Sequence, residues 1–171
     1  ASGGDTYQFF INETPPAPGE AVGNILTTSS LTESSTVRVV ASNALGCTES
    51  ATINIRVLSI TDPGTIGLSV ATDTTVCFGN EPAGVITSTV DASSSHDIYY
   101  QWQSRPITGT WVNIPTNANS PTYDPGVLNT TTSFRRLSIS YIDANGDGIP
   151  NDGKSCISDP SSNIITITVN P

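Results

Sequence analysis

The stretch DIYYQWQ at residues 97–103 decides the fold. Ile98, Tyr100 and Trp102 fall on alternate positions, with Tyr99, Gln101 and Gln103 between them. A period of two marks an extended strand with one face turned to a core. Trp102 is the bulkiest of the aligned set and is the expected core anchor. Four other segments repeat the pattern. Residues 6–12 align Tyr7, Phe9 and Ile11, and residues 51–58 align Ile53, Ile55 and Val57 with Asn54 and Arg56 outward. Residues 137–141 align Leu137, Ile139 and Tyr141, and residues 163–169 align Ile165, Ile167 and Val169. No segment sustains the 3.6-residue period of a helix. Such alternation suits antiparallel sheets with one wet face. The expected class is therefore all-β, a sandwich or barrel of short strands.

Composition points the same way. About a quarter of the 171 residues are Ser or Thr, and Val and Ile dominate the apolar set. Thr, Val and Ile suit a pleated, half-buried surface. Fourteen Gly and twelve Pro punctuate the chain. Fifteen acidic residues against six basic ones give a net charge of −9. Phosphate contacts need Lys and Arg, and Lys154 is the single lysine, so nucleic acid is not an expected partner. A 12% charged fraction does not suit a coiled coil or a charge-rich disordered tail. No apolar run approaches the roughly 18 residues of a membrane helix, so membrane insertion is not expected. The chain has no Met. It is expected to be processed or to be a piece of something larger.

Residues 59–65 (SITDPGT) carry the best boundary signal, since Asp62-Pro63-Gly64 is turn chemistry between two apolar strands. The reading is a first module at 1–60 and a second at 61–171, joined by a short stiff link. The two resemble each other. YQF at 7–9 matches YQW at 100–102. LGCTESATINIRV at 45–57 matches KSCISDPSSNIITITV at 154–169, each a Cys, a polar turn and an alternating strand. Tyr7 to Cys47 spans 40 positions and Tyr100 to Cys156 spans 56, so the second copy carries 16 more. Much of that excess falls at residues 143–153.

Cys77 lies 23 positions before Tyr100, and its counterpart in the first copy would fall before Ala1. The first repeat is thus expected to lack its opening strands. Cys77 and Cys156 are expected to pair as a disulfide, with Cys47 left over. The alternative is three reduced thiols. A Ser/Thr-rich, acidic β protein suits an oxidising exterior, although spacing alone does not fix connectivity.

Residues 143–154 read DANGDGIPNDGK. Asp143, Asn145 and Asp147 occupy positions 1, 3 and 5, and Gly148 follows where the chain must turn sharply. This is how a loop wraps oxygen ligands around Ca²⁺. Ile149 offers a backbone carbonyl, and Asn151 and Asp152 complete the candidate set. Position 12 is Lys154 rather than Glu, so the loop is not a full EF-hand. It is similar to the calcium loops of thrombospondin type 3 and related bacterial extracellular repeats. The alternative is an Asp/Asn/Gly-rich hairpin tip without metal.

Catalytic patterns are sparse. His96 is the single histidine and sits in SSSHD ahead of a strand. No Ser lies in a nucleophile elbow, and there is no phosphate-binding glycine loop. The chain is therefore not read as an enzyme. Trp111 alternates with Asn113, and with Tyr99 it is the best candidate for contact with a glycan. Arg135-Arg136 reads as a solvated pair on a strand.

Longer stretches suggest a family. The second copy contains VCFGNEPAGVITST, then YYQWQSRPITGTWVNIPTNANSPTYDPGVLNTTTSFRRLSIS, then SCISDPSSNIITITVNP. Residues 64–171 resemble the repeats of giant surface adhesins of Bacteroidota, of the SprB gliding-motility type. Residues 1–60 resemble a sister repeat of the same proteins through Phe9, Phe10, Ile11, Asn12, Gly46 and Cys47. The loop at Asp143–Asp152 departs from that repeat. The resemblance implies tandem immunoglobulin-like β-sandwiches, export by the type 9 secretion system and display on the cell surface. It implies neighbouring repeats of the same chain and the type 9 secretion machinery as partners, and surface polysaccharide is a further candidate partner. The rival expectation is a carbohydrate-binding or accessory module of a secreted multidomain enzyme.

Overall fold

A computed structural model describes residues 4–70, 74–115, 119–150, 155–157 and 163–171. The chain forms two compact units, Ala1–Val57 and Leu58–Pro171. Every regular element among the described residues is a β-strand.

The first unit holds β1 (Thr6–Ile11), the short pair β2 (Ala21–Val22) and β3 (Ile25–Leu26), β4 (Ser35–Ser42) and β5 (Thr48–Ile55). The main sheet runs β1-β4-β5, antiparallel throughout. Opposed pairs Phe9–Val39, Ile11–Val37 and Val37–Ile53 put the apolar residues on one face. Phe9 and Val37 are its buried centre. Asn43 shapes the β4–β5 turn, where its Oδ1 accepts the backbone N–H groups of Leu45 and Cys47. Gly46 supplies the positive φ of 82° that this turn needs. Ile53 departs from expectation. It is 62% exposed although it pairs with the buried Val37, and nearly all of β5 is exposed with it.

The second unit begins with β6 (Ile60–Asp62), β7 (Thr65–Leu68), β8 (Thr75–Cys77), β9 (Ile86–Val90) and β10 (Ser93–Ser94). It continues with β11 (Asp97–Pro106), β12 (Val112–Asn113), β13 (Thr132–Tyr141), β14 (Ser155–Ile157) and β15 (Ile165–Asn170). Because β6 pairs with β10, Asp62-Pro63-Gly64 is a turn inside this unit. The large sheet runs β12-β11-β13-β15-β8, with β14 also on β13. All its pairings are antiparallel except β15 with β8. The smaller sheet is β7 with β9. Ile66 and Ile86 of the small sheet share one core with Trp102, Phe134 and Ile167 of the large one, closed by Ile114 and Leu128. This is packing of the sandwich kind. Trp102 is wholly buried, as expected, and its indole N–H donates to the Ser120 carbonyl at 2.8 Å. Tyr123 bridges Trp102 and Phe134, with ring centroids 5.6 and 5.7 Å away. Burial, and then the charge of Asp124, push the Tyr123 hydroxyl above its ordinary pKa.

The ten-pair register of β11 with β13 sets two faces. Trp102 lies opposite Arg136, and Tyr100 opposite Ser138. Leu137, Ile139 and Tyr141 therefore occupy the other face, with Tyr99, Gln101 and Arg135. The strand is covered on both sides: Ser138 and Ser140 are wholly buried, and so are most of Ile139 and Tyr141.

The solvated pair Arg135-Arg136 is corrected here. Arg136 has no exposed surface. Its guanidinium carbon lies 4.1 Å from the Tyr100 ring centroid and 5.8 Å from that of Trp102. Nη1 donates to Ser88 Oγ and to the Pro121 carbonyl. Burial lowers its pKa, and the charge of Asp91 and the neighbouring Tyr100 work against that fall. The turn at Gly64 closes over it. Gly64 has φ 74°, and a Cβ there would come within 2.6 Å of the Val90 carbonyl and 2.9 Å of Arg136 Nη2. No other residue fits that turn without displacement.

The two arginines should therefore respond differently to truncation. Arg136→Ala is expected to destabilise the second unit by about 2–5 kcal/mol, the range for emptying a large buried site. Arg135→Ala, on the half-exposed face, should cost under about 1 kcal/mol. Urea unfolding followed by tryptophan fluorescence measures both.

Candidate functional site

The outer face of the large sheet, away from the Trp102 core, carries the polar and charged side chains that could meet a ligand. At one end, Trp111 precedes β12, whose Val112 and Asn113 pair with Ser104 and Gln103. That register sets Trp111 beside Arg105. The Arg105 guanidinium carbon lies 4.7 Å from the Trp111 ring centroid, and that of Arg135 lies 4.4 Å from it. A cation over an indole is attracted by the ring quadrupole. Arg135 Nε donates to Gln103 Oε1 at 2.7 Å, and Gln103 Nε2 donates to Asn113 Oδ1 at 2.7 Å. Trp111, Arg105, Arg135 and Gln103 are all half-buried, and Asn113 is exposed.

Tyr99, the second glycan candidate, is not part of this group. It lies six residues along β11 from Arg105, about 20 Å at strand rise. Its ring stands edge-on to Tyr141, with centroids 6.4 Å apart. The structure thus brings Trp111 to two arginines rather than to Tyr99. Pattern reading missed Arg105, and it placed Arg135 in solvent. The signal lies in the register of β11 with β13 rather than in either strand alone. With Trp102 inward and opposite Arg136, Arg135 must share the outer face with Gln103 and Arg105.

The other end of the face is acidic. Asp97 pairs with Tyr141, and Asp143 follows as the chain leaves β13. Asp143 Oδ1 accepts the N–H groups of Gly146 and Asp147, and Oδ2 accepts that of Gly148. Asn145 Oδ1 accepts the Asp147 N–H, and Asp147 Oδ1 accepts the Ile149 N–H at 2.8 Å. Gly146 and Gly148 have φ of 77° and 72°. Gly148 makes the sharp turn that its place after Asp147 requires. The side-chain oxygens of Asp143, Asn145 and Asp147 are thereby gathered within one loop. Asn151 and Asp152, the remaining candidate ligands, lie outside the described residues. Among the described residues no three His, Cys, Asp or Glu side chains group as a metal site. Burial, and then the charges of Asp143, Asp97 and Asp147, push Tyr141 above its ordinary pKa. Negative potential is thus concentrated at this end.

The expected Cys77–Cys156 disulfide does not form. All three cysteines are free thiols, Cys47 and Cys77 exposed and Cys156 half-buried. The register gives the reason. Cys77 pairs with Asn170, beyond the Thr132 end of β13, whereas Cys156 pairs with Ser140 near the other end. The two are about 36 Å apart at strand rise, and a disulfide needs Cα atoms within about 7 Å.

Comparison with known proteins gives one finding. The model of a family described as a domain of unknown function (DUF8696) matches residues 66–171. No curated protein and no solved structure matches the chain significantly.

The thiols can be counted directly. Native protein should react with three equivalents of DTNB, Cys47 and Cys77 before Cys156. A single reactive thiol without reductant would restore the disulfide.

Proposed function

The chain belongs to the family described as a domain of unknown function (DUF8696), and we propose that it is a structural and adhesive repeat segment of a very large secreted cell-surface adhesin. The observation that carries this reading is the repeat itself, which runs from sequence into topology. In the first unit the YQF strand pairs with β4, and β4 pairs with the strand that follows Cys47. In the second unit the YQW strand pairs with β13, and β13 pairs with the strands that hold and follow Cys156. Phe9 and Trp102, the aromatics of the two motifs, are both buried. One supersecondary plan used twice in one chain is the mark of a repeat protein.

An immunoglobulin-like fold is part of the proposal for the second unit. A tryptophan buried at mid-strand in the large sheet, and a parallel edge pairing of β8 with β15, favour it. Export by the type 9 secretion system, extracellular display and a role in surface attachment and gliding follow from the resemblance to SprB-type repeats. The alternative, a carbohydrate-binding module of a secreted enzyme, is favoured by the half-buried Trp111 among polar partners at one end of the outer sheet face. Neither reading assigns catalysis to the chain.

Calcium belongs to the same proposal. Asp143, Asn145 and Asp147, with the Ile149 carbonyl, would supply hard oxygen ligands, and Asn151 and Asp152 would complete the shell. A bound cation would offset the negative potential at Tyr141 and stiffen the loop that leaves β13.

Two measurements test these statements. Antibody raised against residues 58–171 should label intact cells of the producing organism, and deleting the parent gene should reduce attachment to surfaces. Labelling confined to permeabilised cells would contradict display. For calcium, tenfold excess over Kd should raise the unfolding temperature by about 5 °C. Asp143→Asn with Asp147→Asn should abolish the rise. Equal unfolding temperatures in Ca²⁺ and EDTA would remove calcium from the account.

A further inference from the structure

Two of the chain's six cationic side chains meet at one indole. Like charges drawn together in this way repel, and the usual remedy is a nearby carboxylate. Among the described residues, the ion pair present is Arg38–Glu13 in the first unit. Arg135 gives its Nε to Gln103, a neutral amide. Arg105 has a buried Nε with no hydrogen-bond partner. Fifteen acidic residues lie along the chain, yet the site is built with amides and an indole around its two cations.

We propose that Arg105, Arg135 and Trp111, with Gln103 and Asn113, form a binding site for the carboxylate or sulfate groups of an acidic polysaccharide. Guanidinium groups bind such oxyanions with two parallel hydrogen bonds, a geometry that Lys lacks. Trp111 and Gln103 hold the two groups in place before the ligand arrives, so little side-chain freedom is lost on binding. Asn113 spends its Oδ1 on Gln103, which leaves its exposed amide N–H₂ for a sugar hydroxyl. The site lies at the β12 edge of the sheet, where Val112 and Asn113 are exposed and a polymer can approach. The indole is already engaged by the guanidinium groups, so it orients the cations rather than serving as a bare stacking platform. The net charge of −9 opposes general adsorption of polyanions and confines them to this spot.

The site stands on geometry alone. That the chain meets such a polymer outside a cell rests on the display reading above, and the two fail separately. Absent binding would leave cell-surface labelling untouched, and absent labelling would leave the binding isotherm untouched.

The test is titration of the full chain with polygalacturonate, dextran sulfate, neutral dextran, a phosphopeptide and sodium sulfate, followed by calorimetry and tryptophan fluorescence. Saturable binding to one or both acidic polymers, with neutral dextran inert, is expected. Polygalacturonate alone would assign a carboxylate ligand, and dextran sulfate alone a sulfate ligand. Arg105→Gln and Arg135→Gln should each weaken binding at least about tenfold, the cost of losing a charge-assisted hydrogen bond. Arg135→Lys, which keeps the charge but not the fork, should also weaken it and guards against a fold defect. Arg56→Gln, on an exposed residue of the first unit, should change nothing. Failure to bind either acidic polymer, equal binding of neutral dextran, or unchanged binding in both Gln variants would overturn the site. Saturation by sodium sulfate with no gain from a polymer, or tighter binding of a phosphopeptide, would overturn the polysaccharide assignment.

Discussion

The antiparallel pairing of Asp97–Pro106 with Thr132–Tyr141 is the constraint on which the second unit depends. It fixes ten opposed pairs at once. A slip of one residue would send every side chain of one strand to the opposite face. In the observed register Trp102, Tyr100 and Arg136 meet inside, and Arg135, Gln103 and Arg105 meet outside. Core and candidate site are the two sides of the same ladder. The buried Arg136 reinforces it from within, since its guanidinium is stacked on aromatic rings and bonded to Ser88 and the Pro121 carbonyl. That arrangement ties the large sheet to β9 of the small one.

Much of the fold was legible in the sequence because alternation is a local property. Tyr7, Phe9, Trp102, Ile165 and Ile167 needed only their own strands to be placed. Arg136 was not legible. A charged residue beside another arginine reads as solvated unless the partner strand's register is known, and register is set by contacts more than 30 residues away. Ile53 failed too. Its strand alternates in sequence, yet β5 is exposed along nearly its whole length, and what covers a strand is not written in its own alternation. The cysteines were misread because sequence matching ignores sheet position. Cys156 and Cys77 serve strands that meet β13 and β15 at opposite ends.

The candidate site was half legible. Trp111 stood out by its size and its place in an alternating segment. Its companions did not, because Arg105 and Arg135 come from strands 30 residues apart and reach Trp111 only when three strands lie side by side. The acidic loop shows the reverse case. Asp143, Asn145, Asp147 and Gly148 are neighbours in sequence, so their gathering into one turn could be read directly. The large sheet thus carries two cations on an indole at one end and gathered carboxylates at the other.

The most direct test is the cross-strand contact map of β11 and β13 by NMR. The account predicts nuclear Overhauser contacts from the Tyr100 and Trp102 rings to Arg136, ring-current shifts on the Arg136 guanidinium protons, and separate contacts from Trp111 to Arg105 and Arg135. Contacts of Trp102 with Arg135, and of Trp111 with Arg136, would mean a register slipped by one residue. That result would contradict both the core and the site.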